Sequence, residues 1–336
     1  MTHATRPTTP ATATRSTAGS QRLDPGSHGH PRTERTRQER DEMSPLHRFT
    51  ERIESAELLD PVASTVRRLA GPLGRPSMLR DLLTGRWLGH SVHPMIVAVP
   101  IGSWIGSAVL DATGGSPEAS RRLVGLGALA AVPSTATGTA DWFDTSGAEG
   151  RVGVAHAALN DVAVALFATS WYVRRNGRSP LAIGLSLVGL GAVGVAGYLG
   201  GHLAYSRGVG VNTTAFQSGP SEWTRLVERG GLPVDEPVGA TVDGLEFVVV
   251  ARDDRVDVLE SRCTHRGAPL ADGTVAGDCV VCPWHASRFD TEDGTVDAGP
   301  ASVPQPAYRT RVVDGWVEVR RREVGGLRRN PVGASR

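Results

Sequence analysis

The chain contains no lysine. All 36 basic residues are arginine, and 35 acidic residues nearly cancel them to leave a formal net charge of +1. So even a balance excludes a whole-chain nucleic-acid binder. Cysteine is almost as scarce: Cys263, Cys279 and Cys282 are too few to staple a small secreted scaffold. Aromatic residues make up only 5% of the chain. Residues 1–45 have almost no large apolar side chains, so they cannot offset the entropy of ordering and are expected to form a disordered arm. They also lack the apolar stretch of roughly 7–15 residues that marks a secretory leader.

What is present is unevenly distributed, and the mean hydropathy of −0.17 hides it. Residues 46–89 read as short amphipathic juxtamembrane helices, broken at Gly71-Pro72 and Arg75-Pro76. Residues 90–203 hold four nearly uncharged runs, at 90–110, 123–140, 152–173 and 181–203, with Asp161 the one exception. Each is close to the roughly 20 residues that cross a bilayer core. None has the charged stripe of a soluble amphipathic helix, so the reading is a four-helix transmembrane domain. In the last run, Gly197 and Gly201 form a GxxxG that predicts close backbone packing. A linker is expected over 204–231, and a β-rich module over 232–320 with strands at 245–251, 256–259, 278–281, 308–313 and 316–320. Asp314-Gly315 signals a hairpin between the last two. Residues 321–336 form a basic tail. The fold class is therefore a multidomain chain: an α-helical four-span bundle followed by an all-β module.

Two ligand pairs stand out in that module, Cys263-Thr264-His265 and Cys282-Pro283-Trp284-His285. Two thiolates and two imidazoles on two loops suit either a zinc ion or a binuclear iron–sulfur cluster with cysteines on one iron and histidines on the other. Cys279, three residues before Cys282, mimics a CxxC but reads as a small buried strand residue.

These loops, continuing as Arg266-Gly-Ala-Pro-Leu and as Ala286-Ser-Arg-Phe-Asp with Gly294, resemble the two cluster loops of Rieske [2Fe–2S] domains over about residues 223–320. The resemblance implies an antiparallel β-sandwich with Cys263 and Cys282 on the buried iron and His265 and His285 on the outer one. Respiratory members of the family carry a further cysteine in each loop and a tyrosine that bonds a cluster thiolate. Here Ala268, Trp284 and Phe289 stand at those places. The comparison points to the ferredoxin-like branch and to the lower end of the roughly −150 to +300 mV Rieske range. No histidine follows His285, so the second iron site of ring-hydroxylating oxygenases is not expected. The module carries 16 acidic residues against 7 arginines over 232–319, a charge suited to steering a basic redox partner.

In the apolar region, Gly89-His90, His93-Pro94, Asp141-Trp142, His156 and Gly200-Gly201-His202 with Tyr205 resemble a bacterial family of four-helix membrane domains of unknown function. Four antiparallel spans bring His90, His93, Asp141, His156, Asn160 and His202 to one face. Histidines at membrane depth are costly and often functional. His93, His156 and His202 are therefore candidate ligands of a haem b, or partners of a quinone or metal, with structural hydrogen bonding as the alternative. Flanking arginines tie at five on each side, so the positive-inside rule does not orient the chain. The absence of a leader and of the cluster disulfide favours a cytoplasmic cluster domain on the cell membrane. The expected function is a membrane-anchored one-electron carrier, an oxidoreductase component with unidentified donor and acceptor and no catalytic residues of its own. The alternative is a redox or iron sensor whose cluster state alters the bundle.

Overall fold

The computed structural model describes residues 44–75 and 77–322. The expected arm (1–45) and tail (321–336) lie outside the described residues except at 44–45 and 321–322. The chain divides into two units, 1–48 and 49–336. The described part of the first is the opening turn of helix α1 (Pro45–Glu54), where Ser44 Oγ accepts from the His47 N–H at 3.2 Å.

The second unit begins with short helices, as the breaks at glycine and proline require. Helix α2 spans Asp60–Leu69 and α3 spans Met78–Thr84. Ser77 caps α3 by accepting from the Arg80 N–H, and Gly85 ends it at φ +81°. A side chain at Gly85 would run into the His90 carbonyl, so the tight turn from α3 into the first apolar segment requires glycine.

Four segments are long and apolar enough to cross a membrane: His93–Ala112, Pro117–Trp142, Gly147–Asn176 and Pro180–Ser206. They contain helices α4 (Ala98–Ala112), α5 (Pro117–Trp142), α6 (Gly147–Val173) and α7 (Pro180–Gly201). At their centre Trp104 of α4 stacks on Phe167 of α6, ring centroids 4.1 Å apart and planes 4° apart. Glycines make room for this pair. A Cβ at Gly127 would strike Trp104, and one at Gly189 would come within 2.9 Å of Phe167. The GxxxG expectation fails in detail. A Cβ at Gly197 would meet nothing within 4 Å, and one at Gly201 would touch only Tyr205. Helix contact instead runs through the positions that face aromatic and imidazole rings. At the end of the bundle away from the β-module, Arg174 pairs with Asp111 at 2.5 Å and is surrounded by Ser120, Ser170 and Ser186.

The β-module holds three antiparallel sheets. Strand order is β1–β10–β9 (Thr224–Glu228, Trp316–Arg321, Tyr308–Val313), β2–β3–β4 (Pro237–Val242, Leu245–Ala251, Val256–Glu260) and β5–β6–β7–β8 (Thr274–Ala276, Cys279–Val281, Arg288–Asp290, Val296–Ala298). Strand β1 lies inside the segment expected as linker and pairs with β10 from Thr224 onward. The β9–β10 hairpin turns at Asp314 (φ +51°) and Gly315 (φ +80°), the double positive φ that an Asp-Gly turn supplies. Alternation along β3 builds two cores. Phe247, Val249 and Ala251 pack with Leu226, Val317 and Tyr308 between the first two sheets. Val248 and Val250 point the other way, onto Cys263, Ala268, Leu270, Cys282 and Phe289. The second core is the floor of the ligand loops.

Candidate metal centre

Each loop is a turn closed by its own backbone. In the first, the Cys263 N–H donates to Ala268 O and the Gly267 N–H returns to Cys263 O, both at 2.8 Å. In the second, Cys282 N–H donates to Ser287 O at 2.8 Å and Ala286 N–H to Cys282 O at 3.1 Å. Ala286 adopts φ +56° to close the turn. These turns aim backbone N–H groups at sulfur: His265 and Arg266 donate to the Cys263 thiol, and Trp284 and His285 to that of Cys282. Such donors favour thiolate over thiol. The loops are supported from behind by Gln305, whose carboxamide accepts from the Thr264 N–H at 3.0 Å and donates to the Glu260 and Arg262 carbonyls.

The four side chains form two close pairs, one of thiols and one of imidazoles. Cys263 and Cys282 are buried and unbridged, and they hydrogen-bond to each other. In that pair Cys282 is the first to ionise. The bond from Cys263 pulls its pKa down to about 6, while the same bond and burial push Cys263 up. The rings of His265 and His285 stand 5.1 Å apart, nearly perpendicular. Burial depresses both imidazoles, His265 to about 4, so both are neutral near pH 7 as metal ligands must be.

The fit to a metal group rests on two atoms. Nδ1 of His265 and Nδ1 of His285 are buried without a hydrogen-bond partner among the described residues. Buried polar atoms in native folds are almost always paired. Two orphaned imidazole nitrogens, on the same two loops as two mutually bonded thiols, fit a binuclear cluster with mixed ligation. Cys279 stands apart: it lies on β6 with Arg288 beside its thiol, and burial raises its pKa. A tight loop geometry with two thiols inside and two imidazoles outside defines a Rieske-type iron–sulfur protein.

Comparison with known proteins agrees. Residues 222–309 match the family described as Rieske [2Fe-2S] domain, and residues 89–213 the family described as Predicted membrane protein (DUF2231). The anthranilate 1,2-dioxygenase ferredoxin subunit of Burkholderia cepacia is 35% identical over 100 residues, which are 30% of this chain and 92% of that protein. The cholesterol 7-desaturase of Drosophila melanogaster is 30% identical over 106 residues but is matched over only 25% of its length. Among solved structures, the ferredoxin of carbazole 1,9a-dioxygenase from Nocardioides aromaticivorans is 30% identical, with all of it covered by 30% of this chain at a TM-score of 0.29. The chain belongs to the Rieske [2Fe–2S] family, with a ferredoxin-like electron-transfer domain following the helical region.

The candidate histidines of the helical region fare differently. His93 and His156 do come together, ring centroids 6.5 Å apart. Their Nδ1 atoms, however, are engaged by backbone carbonyls, Ser134 O at 2.9 Å and Ala196 O at 2.8 Å. Asn160 Nδ2 lies 3.1 Å from His156 Nε2. His202 is drawn away from the pair: its Nε2 lies 2.6 Å from Glu54, which Arg207 also clamps. Of the three candidate histidines, from which two were expected to act together, His93 and His156 stand as a pair and His202 is bound to Glu54. Glu54 sits in an amphipathic helix nearly 150 residues earlier, and no local pattern could have signalled that partnership.

Sequence reading also missed what surrounds the cluster loops. His265 Nε2 lies 3.5 Å from Asp144, a residue of the loop between α5 and α6, and Arg266 pairs with Glu149 of α6. The Thr213 hydroxyl donates to Cys263 O at 2.7 Å, and Arg86 donates to Asp297 O. The first cluster loop is therefore seated on the helical bundle, while Pro283, Trp284 and Ala286 of the second stay exposed.

Proposed function

We propose that this chain is a membrane-anchored electron carrier in which Cys263, His265, Cys282 and His285 hold a [2Fe–2S] cluster. The four helices cross the cell membrane, and the cluster domain lies on the cytoplasmic side. The observation that carries the reading is the pair of orphaned Nδ1 atoms, on His265 and His285, in the same two loops as two mutually bonded thiols. When bound, the cluster supplies one-electron chemistry with no bond made or broken in a substrate. The chain's own residues supply the rest. Backbone N–H groups of both turns hold negative charge at the sulfurs, Phe289 and Leu270 exclude water from the floor, and the His265 imidazole turns its Nε2 toward Asp144.

We further propose that the cluster exchanges its electron with a redox group in the bundle near His93 and His156. Support comes from the seating of the first loop on the end of the bundle where that pair lies. Of the haem b, quinone and metal expected there, a quinone suits the pair better than haem b. With Nδ1–H given to a carbonyl, Nε2 of each ring is an acceptor able to take a hydrogen bond from a quinol hydroxyl, whereas bis-histidine ligation would require Asn160 to turn away from His156. The sensor reading has one support of its own: the Arg266–Glu149 pair links the cluster loop directly to α6.

Spectra of the detergent-extracted full chain test these readings together. The expected result is a broad visible iron–sulfur absorption and a Rieske-type EPR signal on reduction, with about two irons per chain. Equimolar zinc and no visible absorption would remove the cluster. A haem α-band would replace the quinone. Electron exchange with a quinol supports the carrier, and its absence together with a redox-dependent change in the bundle supports the sensor.

A further inference from the structure

The two histidines of the cluster loops differ in their surroundings. The His285 loop is open, with Trp284 58% exposed. The His265 side chain is only 14% exposed, because Asp144 lies against its Nε2 at 3.5 Å. Asp144 is itself 8% exposed and fixed by Arg80, whose guanidinium reaches its carboxylate at 2.5 Å and the Gly74 carbonyl at 2.6 Å. Arg80 is nearly as buried, at 5%. A buried carboxylate beside a ligand imidazole costs desolvation unless it is paired, and Arg80, itself anchored on Gly74, supplies that pair. Its position also gives it electrostatic influence over both His265 and His285. Glu149 provides an internal control. It pairs with Arg266 on the same seat but touches neither ligand.

We propose that Asp144, a residue of the helical region, is a positioning residue of the cluster site: its carboxylate, set against the Nε2 edge of His265, holds the reduction potential of the seated domain below that of the unseated one. The proposal rests on the reading that the four loop residues hold a [2Fe–2S] cluster. A fixed negative charge beside the outer ligand favours the more positive, oxidised form and disfavours the added electron. Ligand-facing partners of this kind both orient the ring and tune the metal. The seat thus does more than tether the domain, because the membrane half supplies part of the cluster's electronic environment.

The test is EPR-monitored potentiometry on the full chain, after the visible spectrum has established that the unmodified protein carries the cluster. Without a cluster, the underlying reading fails before this one is reached. With it, Asp144→Asn, which keeps an acceptor but removes the charge, is expected to favour reduction about tenfold, a rise of about 59 mV for one electron. Glu149→Gln, which loosens the same seat without touching a ligand, is expected to shift the potential far less. If Asp144→Asn loads poorly because Arg80 is left unpaired, the double variant R80Q/D144N removes both charges and should still raise the potential. Loaded variants at the unmodified potential overturn the proposal. So does an effect of Glu149→Gln as large as that of Asp144→Asn, since potential would then follow seating alone.

Discussion

Two pairs of histidines in this chain stand at similar ring separations, 5.1 Å for His265 and His285 and 6.5 Å for His93 and His156. What separates them is the state of Nδ1. In the cluster loops both Nδ1 atoms are buried and unpartnered among the described residues. In the helical region both are taken by main-chain carbonyls at 2.8–2.9 Å. A buried nitrogen left without a partner costs about 1–3 kcal/mol, which a fold tolerates where another group will use the lone pair. A satisfied nitrogen makes no such demand. The comparison teaches that the two pairs offer different nitrogens: the cluster loops leave both Nδ1 atoms open to a metal, whereas in the helical pair a carbonyl orients each ring at Nδ1 and leaves only Nε2 as a possible ligand, which in His156 lies against Asn160.

The largest effect that bears on this contrast is at His285. His285→Ala removes one of the two orphaned nitrogens, and we expect loss of the cluster, read as disappearance of the visible absorption and of bound iron. His156→Ala is the counterpart. It should leave the cluster spectrum intact and lower the stability of the helical region by about 1–3 kcal/mol, the cost of stranding the Ala196 carbonyl and Asn160. Thermal unfolding in detergent, followed by far-UV circular dichroism, measures that loss. Cluster loss in His156→Ala, or retention of the cluster in His285→Ala, would break the comparison.

The same contrast explains what could be read without coordinates. The cluster loops were legible because each is local. Cys263 and His265, or Cys282 and His285, are brought together by one turn, and the turn residues are written beside them. The four helices were legible because hydropathy integrates over some twenty residues. Strand β1 was not. It is five residues long, has a register shift between Arg225 and Val227, and buries only Leu226 fully, so it lacks the alternation that marks a strand. Strand β2 opens on Pro237 and contains Gly239, both poor strand signals that β3 overrides by pairing along its whole length. The partnerships of His265 with Asp144 and of His202 with Glu54 join residues more than a hundred positions apart. Single-sequence patterns carry no information at that range. The GxxxG expectation erred for a related reason: the spacing identifies a smooth helix face but not the neighbour that will use it.

A smaller effect sharpens the contrast beyond histidine, at a buried acid beneath the cluster loops. Glu260, at the end of β4, is 1% exposed and has a good partner, since the Tyr308 hydroxyl donates to its carboxylate at 3.1 Å. Burial nevertheless raises its pKa above the usual 4.5, with the Tyr308 bond opposing only in part. Folded protein therefore holds this proton more tightly than unfolded chain. The stabilisation is complete below the unfolded value of 4.5 and is lost as pH rises through the folded value, so at neutral pH the ionised carboxylate is a liability. Glu260→Gln retains an acceptor for Tyr308 and carries no charge. We expect it to raise the midpoint of thermal cluster loss on the order of 2–4 °C at pH 7–8, with the gain shrinking as pH falls and vanishing below about pH 4.5, where the wild-type side chain is protonated in both states. A gain that persists at low pH would mean that the amide packs better than the acid, and a loss at every pH would mean that the charge is needed. Either outcome would show that a satisfied hydrogen bond at a buried polar group does not by itself report what the fold gains from it.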